Sequence, residues 1–446
     1  MRNHGRHLTL PAPRDWGKVV TTAAGAAVGA TPSPAEKATF RDVFAIAEFR
    51  ALWLAQLLSV AGDQLARVAM TVLVYDRTHS ALWTAVTYAV TFLPWLIGGL
   101  ALSGLADRLP RRQVMVACDV ARMVLVGLMA LASLKVAGYP MLPIMVALLF
   151  TVTLLDSPFK SARSALLPDI LDGERYVLGT ALSQITLQVG MVSGFALGGV
   201  VVVLLGVRGA LLIDAATFAA SALLVRFGVR RRPAASGAGG PAGSRPRQVA
   251  EIAAGVRLVF GDRQLRTLVL FGWLVAFYVV PMGLAAPYAA TFRDSLPIPL
   301  GTGLIFAAGP FGSAAGAIAI GRFVAPARRR YWMGPLAVAA CGLLLLCSFQ
   351  PGLALALVII AASGACASYQ LAANAAFVAT VPAERRGQAF GLANGGMQVS
   401  QGLWIVGAGA IAAHTFTPAT VIAISGGLGA ASAAALAISW RRVTAS

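Results

Sequence analysis

The chain has 446 residues, of which 58% are hydrophobic and 12% charged, and its mean hydropathy is +0.76. That balance excludes an ordinary soluble globular domain, where about a quarter of residues are charged. A net charge of +19 would suit a nucleic-acid binder, but the cations sit between long apolar runs, so they are read as loop charges of a membrane protein and no nucleic-acid partner is expected.

In chain order, residues 1–40 carry Pro, Gly, Ala and scattered Arg without a signal-peptide pattern, and are expected to form a flexible cytoplasmic tail. A bilayer core needs about 20 apolar residues per helix. Six such stretches follow, at 52–75, 82–106, 114–134, 140–158, 177–205 and 210–227. The run Arg230-Arg231-Arg232 then leads into a Pro/Gly/Ala/Ser-rich linker, after which Ile252, Val256 and Val259 recur at helical spacing and predict a short amphipathic helix on the membrane face. Six further stretches lie at 268–290, 302–324, 332–349, 353–378, 388–413 and 418–440. The expected fold is an all-α membrane protein with twelve transmembrane helices in two six-helix bundles, at 41–229 and 263–441, joined by a linker at 230–262 and ending in a tail at 442–446.

Placing both termini in the cytoplasm leaves only Arg77, Lys135, Arg208 and Arg293 in outer loops, with Arg67 and Arg122 inside spans, out of thirty-six lysines and arginines. This asymmetry follows the positive-inside rule and sets the expected orientation in a cell membrane.

The halves also repeat. Gly104-Leu-Ala-Asp-Arg-Leu-Pro-Arg-Arg112 follows the second span, and Gly321-Arg-Phe-Val-Ala-Pro-Ala-Arg-Arg329 follows the eighth, each with an Arg pair seven and eight residues after Gly. Leu167-Pro168 before Glu174-Arg175 matches Val381-Pro382 before Glu384-Arg385. Parallel repeats joined by a cytoplasmic linker are a known transporter plan.

The segment Gly104 to Arg112 resembles the signature loop of the major facilitator superfamily, Gly-x-x-x-Asp-Arg-x-Gly-Arg-Arg, with Pro110 where the family usually has Gly. Leu52-Trp53, Gly62-Asp63, Asp119, Arg122, Ala162 to Pro168 and Pro382 to Leu392 resemble the group containing enterobactin exporters and macrolide efflux proteins. The resemblance implies the major facilitator fold and secondary transport by alternating access. It also implies a latch in which Asp107, with Gly104, Arg108, Arg111 and Arg112, meets the start of the eleventh span near Gly387 to Ala389 in the outward-facing state. Physically, a carboxylate beside arginines and a helix N-terminus stabilises one arrangement of the halves; the plainer reading is that these arginines fix topology and meet anionic headgroups. Asp119 and Arg122, three apart, read as a brace for that loop.

Charged side chains inside spans are costly and invite functional suspicion. Asp63 and Arg67, one turn apart, are read either as a proton-coupling pair or as a permanent structural pair; Asp156, near the inner end of the fourth span, is a second coupling candidate or a hydrated interface group. Asp214 lies nearer the outer end of the sixth span. Gly190, Gly194 and Gly198 form a four-residue stripe for close helix packing. Superfamily antiporters often carry Gly-Pro-x-x-Gly-Gly here, and Phe195 stands at the proline position. In the second half, Asn374, Asn394, Gln398 and Gln401 beside Trp273, Phe277, Tyr278, Tyr369 and Trp404 suggest a cavity for a bulky, partly apolar substrate, with amide bonding between helices as the alternative.

Cys118, Cys341, Cys347 and Cys366 fall in apolar runs without CxxC spacing, so neither a metal site nor a redox pair is expected. The sequence holds no Walker loop, nucleophile elbow or HExxH. It is therefore read as a non-enzyme without cofactor, a monomeric secondary transporter with protons as the coupling ion; the subgroup resemblance implies export of a drug-, macrolide- or siderophore-like molecule. An importer or uniporter of a metabolite is the alternative, with a channel or receptor behind it.

Overall fold

A computed structural model of the chain describes residues 39–94, 109–133, 141–232, 254–382 and 385–445. Gly104, Asp107 and Arg108, most of the linker and the second part of the second expected span lie outside the described residues.

All the regular elements among the described residues are helical. The first half contains α1 (Phe40–Ala45), α2 (Ala47–Thr78), α3 (Ala81–Ala89), α4 (Arg111–Ala132), α5 (Met141–Leu154), α6 (Asp156–Leu166) and α7 (Gly173–Gly228). The second contains α8 (Arg263–Trp273), α9 (Val275–Tyr278), α10 (Val280–Gly283), α11 (Ala285–Ala290), α12 (Ile298–Phe323), α13 (Pro326–Gly342), α14 (Leu353–Cys366), α15 (Tyr369–Thr380), α16 (Arg386–His414) and α17 (Pro418–Ala445). Nine helical stretches among the described residues are long and apolar enough to cross a membrane, with α5 and α6 forming one such stretch and α14 and α15 another.

The 56-residue α7 holds two limbs, since a straight helix of that length would reach about 84 Å, far beyond a bilayer. Gly206 makes the turn with φ 70° and ψ 176°, a conformation essentially restricted to glycine. Consistent with a fold-back, Gly194 of the first limb abuts Ala61 and Asp214 of the second reaches Gly62, so residues twenty apart on α7 meet neighbours on α2.

Prolines account for several of the other interruptions. Pro158 cannot donate to the Leu154 carbonyl, and α5 stops at Leu154. Pro281 and Pro287 likewise break the seventh span into α9, α10 and α11, with α10 ending at Gly283, four residues before Pro287. At the helix starts, Asp262 accepts from the backbone of Gln264 and Leu265 at 2.7 and 2.8 Å. Asp42 accepts from the Thr39 hydroxyl and N–H at 2.7 and 2.8 Å, which holds its carboxyl below the usual range.

The interior shows how the halves meet. One buried apolar cluster runs through both of them and includes Met70, Leu73, Ala85, Phe195, Leu284, Phe306, Ile405 and Ala408. At the opposite end, where the arginines concentrate, Leu52, Met115 and Phe159 form a cluster of the first half, and Phe271, Tyr369 and Trp440 one of the second. Thus a shared core joins the halves at the charge-poor end.

Candidate functional site

Four helices of the first half bring their ionisable side chains into one buried cluster. From α4, Arg122 is fully buried and approaches Asp156 of α6 at 2.9 Å. Lys160, one turn along α6, reaches the other oxygen of Asp156 at 2.6 Å. The Arg122 guanidinium lies 5.4 Å from the ring centres of both Phe159 and Phe218, a geometry that supports a desolvated cation. Its Nε and Nη1 have no hydrogen-bond partner among the described residues. Asp119 is also fully buried and accepts from Ser221 on the second limb of α7 at 2.6 Å. Nearer the charge-rich end, Arg163 donates to Gln56 of α2, whose amide donates to the Ser183 carbonyl at 3.1 Å.

This arrangement bears on three expectations. Asp156 is not a hydrated interface group: it is buried between two cations, because Arg122 and Lys160 converge on it from different helices. Asp119 and Arg122 point into the bundle, toward Ser221 and Asp156, and most of the loop they were expected to brace lies outside the described residues. Asp63 and Arg67 share one helix face, yet no ion pair closes between them among the described residues. Both instead line a narrow void of about 10 Å³ with Thr153 and Asp156, between Val126, Met129 and Leu149. That is space for about one water.

At the charge-poor end, an aromatic seam joins the halves. Phe195 stacks on Phe306 at 4.9 Å, Tyr88 tilts against Phe306 at 5.3 Å, and the Tyr88 hydroxyl meets Met282 Sδ at 3.4 Å. A Cβ at Gly199 would lie 2.7 Å from the Pro299 carbonyl, and one at Gly409 would lie 3.1 Å from the Ala81 carbonyl. The backbones across this seam are therefore in direct contact.

The second half offers a cavity of about 610 Å³ lined by Leu270, Trp273, Phe277, Leu403, Trp404 and Leu436, with Ser400 and Ser432 as its hydroxyls. Trp273 donates to the Ala393 carbonyl at 3.0 Å and Trp404 to Ser425 at 2.7 Å, so both indoles present apolar faces. Of the residues expected to line a substrate cavity, Trp273, Phe277 and Trp404 do so. Tyr369 is buried and donates to the Phe271 carbonyl at 2.8 Å; the Tyr278 hydroxyl is held by Gln370. Gln401 donates to Gln398 at 3.2 Å on the same helix, while Asn374 and Asn394 are exposed and line no part of this cavity. The amides and aromatics thus separate, because residues close in sequence lie on different faces of α15 and α16.

The family model described as Major Facilitator Superfamily matches residues 52–359, more than half of the chain. The chain belongs to the Major Facilitator Superfamily. The uncharacterized MFS-type transporter YkuC of Bacillus subtilis (strain 168) is 28% identical over 191 residues, 42% of this chain; the chain spans 42% of that relative's length. The multidrug efflux pump Tap of Mycobacterium tuberculosis (strain ATCC 25618 / H37Rv) is 28% identical over 327 residues, covering 70% of this chain and 74% of the pump. Among solved structures, the nucleoside transporter NupG superposes with a TM-score of 0.69 at 14% identity, covering 88% of this chain and 99% of that one.

In this Major Facilitator Superfamily transporter, the described part of the signature loop makes contacts within the first half. Arg111 pairs with Asp169 at 2.6 Å and donates to the Ala165 carbonyl at 2.8 Å, and Arg112 donates to the Val229 carbonyl at 2.9 Å. Glu48 receives Arg230 at 3.2 Å and Arg232 at 2.8 Å, which ties the start of the linker to α2. The stripe of Gly190, Gly194 and Gly198 faces α2, where added Cβ atoms would meet Val60, the Ala61 carbonyl and Leu65 at 3.0, 2.8 and 3.3 Å. Sequence reasoning missed Lys160, although its four-residue offset from Asp156 is visible, and missed the Phe159–Phe218 sandwich, which no spacing could reveal.

Proposed function

We propose that this superfamily transporter is a proton-coupled exporter of a small, partly apolar molecule, working by alternating access with the charge-rich end in the cytoplasm. The observation that carries the reading is the asymmetry of buried charge. Asp63, Asp119, Asp156 and Asp214 with Arg67, Arg122, Lys160 and Arg163 gather in the first half, whereas the stretches 267–290, 331–382 and 387–440 of the second contain no Asp, Glu, Lys or Arg, and Glu384, Arg385 and Arg386 lie between the last two. Such clusters in spans mark ion and proton pathways. In this division of labour, Asp63 takes up and releases the proton, while Arg67 and the Asp156 pair tune the charge around the void. The apolar, aromatic cavity of the second half receives the substrate by contact area. The seam of Phe195, Phe306 and Tyr88 is the outer gate, closed in an inward-open state; Asp107 at the start of the signature loop latches the opposite state. Likeness to the efflux pump Tap supports export.

Inside-out membrane vesicles with an acidified interior test the reading. Dye-like cations or macrolides should accumulate, a protonophore should abolish the accumulation, and Asp63→Asn should keep only downhill exchange. Accumulation that persists without the gradient, or that runs in the opposite direction, would defeat the proposal.

A further inference from the structure

Of the three buried carboxylates Asp119, Asp156 and Asp214, Asp214 has the longest and weakest polar contact. Its side chain is fully buried, and its Oδ2 has no hydrogen-bond partner among the described residues. Its Oδ1 receives only Thr217 Oγ1, at 3.4 Å, and that hydroxyl also donates to the Asp214 backbone carbonyl at 2.8 Å. No ion pair reaches it among the described residues. Asp156, by contrast, is held by two cations, and Asp119, whose Oδ1 also lacks a partner among the described residues, receives the Ser221 hydroxyl at 2.6 Å.

Its placement depends on a glycine. Asp214 Oδ1 and Thr217 Oγ1 occupy the space that a Cβ at Gly62 would need, so the carboxyl lies against α2 one residue from Asp63. The charged groups acting on it from the packed helices are Asp63 of α2 and Arg122 of α4. Arg122 is already engaged by Asp156. A charged carboxylate with one long hydrogen bond, in an apolar interior and packed against the residue next to another carboxylate, is poorly supported. A proton on Oδ2 removes that charge and converts an orphaned acceptor into a donor.

We propose that Asp214 is a second proton site, acting with Asp63 as a carboxyl pair across α2 and the second limb of α7. This rests on the proton-coupled reading above and extends it. The step is a proton transfer alone: an O–H bond forms on Asp214 with a proton delivered through water or Asp63, and the same bond breaks when the proton leaves by that route in the other conformation.

Full-length protein in proteoliposomes provides the test, with ethidium as the transported probe and an internal pH dye reporting proton flux. Infrared difference spectra between acid and alkaline samples report protonated carboxyls. Asp214→Asn should lose a carboxyl band present in the parent protein and lower the ratio of protons to ethidium, while ethidium counterflow persists. Asp214→Glu should restore both. Thr217→Val, which removes the only donor to the carboxyl among the described residues, should move the pH at which the band appears, and it serves if the Asn variant fails to insert. An unchanged band and an unchanged ratio in Asp214→Asn, or an unmoved band in Thr217→Val, overturn the second site and leave Asp63 standing. A parent protein that moves ethidium without protons overturns the coupled reading itself, and the infrared band then decides separately whether Asp214 holds a proton.

Discussion

Phe195 of α7 stacks on Phe306 of α12 with ring centres 4.9 Å apart and planes 12° from parallel, both rings being fully buried. The contact crosses between the halves at the charge-poor end, so under the proposed alternating access it exists only while that end is closed. Losing a stacked aromatic pair costs about 1 kcal/mol beyond area, roughly a fivefold change in a two-state equilibrium. Phe195→Ala should therefore raise the open population at this end, seen as faster labelling of a cysteine placed at Ala307 by an impermeant reagent added outside. Equal labelling rates in the two proteins would show that the stack does not hold the gate.

Arg122 is the second test. Replacing it with Met removes one of the two cations on Asp156 and leaves a buried carboxylate with Lys160 alone. Breaking a buried pair from one side costs about 3–5 kcal/mol, whereas removing both partners can be nearly neutral. Arg122→Met should lower the thermal midpoint of the detergent-solubilised protein, and adding Asp156→Asn should recover much of the loss. No recovery in the double variant would assign the loss to the Phe159–Phe218 sandwich instead.

The glycine stripe makes a positional prediction. A methyl at Gly194 would sit 2.8 Å from the Ala61 carbonyl, whereas one at Gly272 meets nothing within 4 Å. Overpacking of this kind costs about 1–3 kcal/mol, while Ala in place of Gly inside a helix gains up to about 1 kcal/mol. Gly194→Ala should destabilise and Gly272→Ala should not, as read by unfolding in detergent. A reversed order would mean that α2 and α7 can separate freely.

Orientation is tested by labelling. With native cysteines replaced, Ser295→Cys between α11 and α12 should react with an impermeant reagent outside intact cells, and Ser236→Cys in the linker only after permeabilisation. Reaction of both from outside would refute the positive-inside assignment.

Much of the architecture was legible before any coordinates, because lipid allows few solutions: apolar runs of about 20 residues become helices. The turn between the fifth and sixth spans was placed at 206–209, and Gly206 makes it. Asp63, Asp119, Arg122 and Asp156 could be singled out because charge inside a span is conspicuous. Their partners could not. The four-residue offset of Asp63 and Arg67 offered a pair that the structure leaves open, while Arg122 instead found Asp156 on another helix. The same limit dispersed the expected amide cavity, since Asn374 and Tyr369 share α15 but not a face.

The sequence by itself determined membrane residence, helical class, the repeat of two halves, superfamily resemblance and the charge asymmetry of the two ends, all properties of local composition and spacing. Only the tertiary structure decided which carboxylate is paired and which is orphaned, which end of the molecule is sealed, and that Phe195, at the proline position of the antiporter motif, meets Phe306 across the seam. The reason is physical: hydropathy depends on the residue and its neighbours along the chain, but a buried ion pair or a stacked ring depends on how helices rotate about their own axes, and a one-residue change of about 100° carries a side chain to a different neighbour.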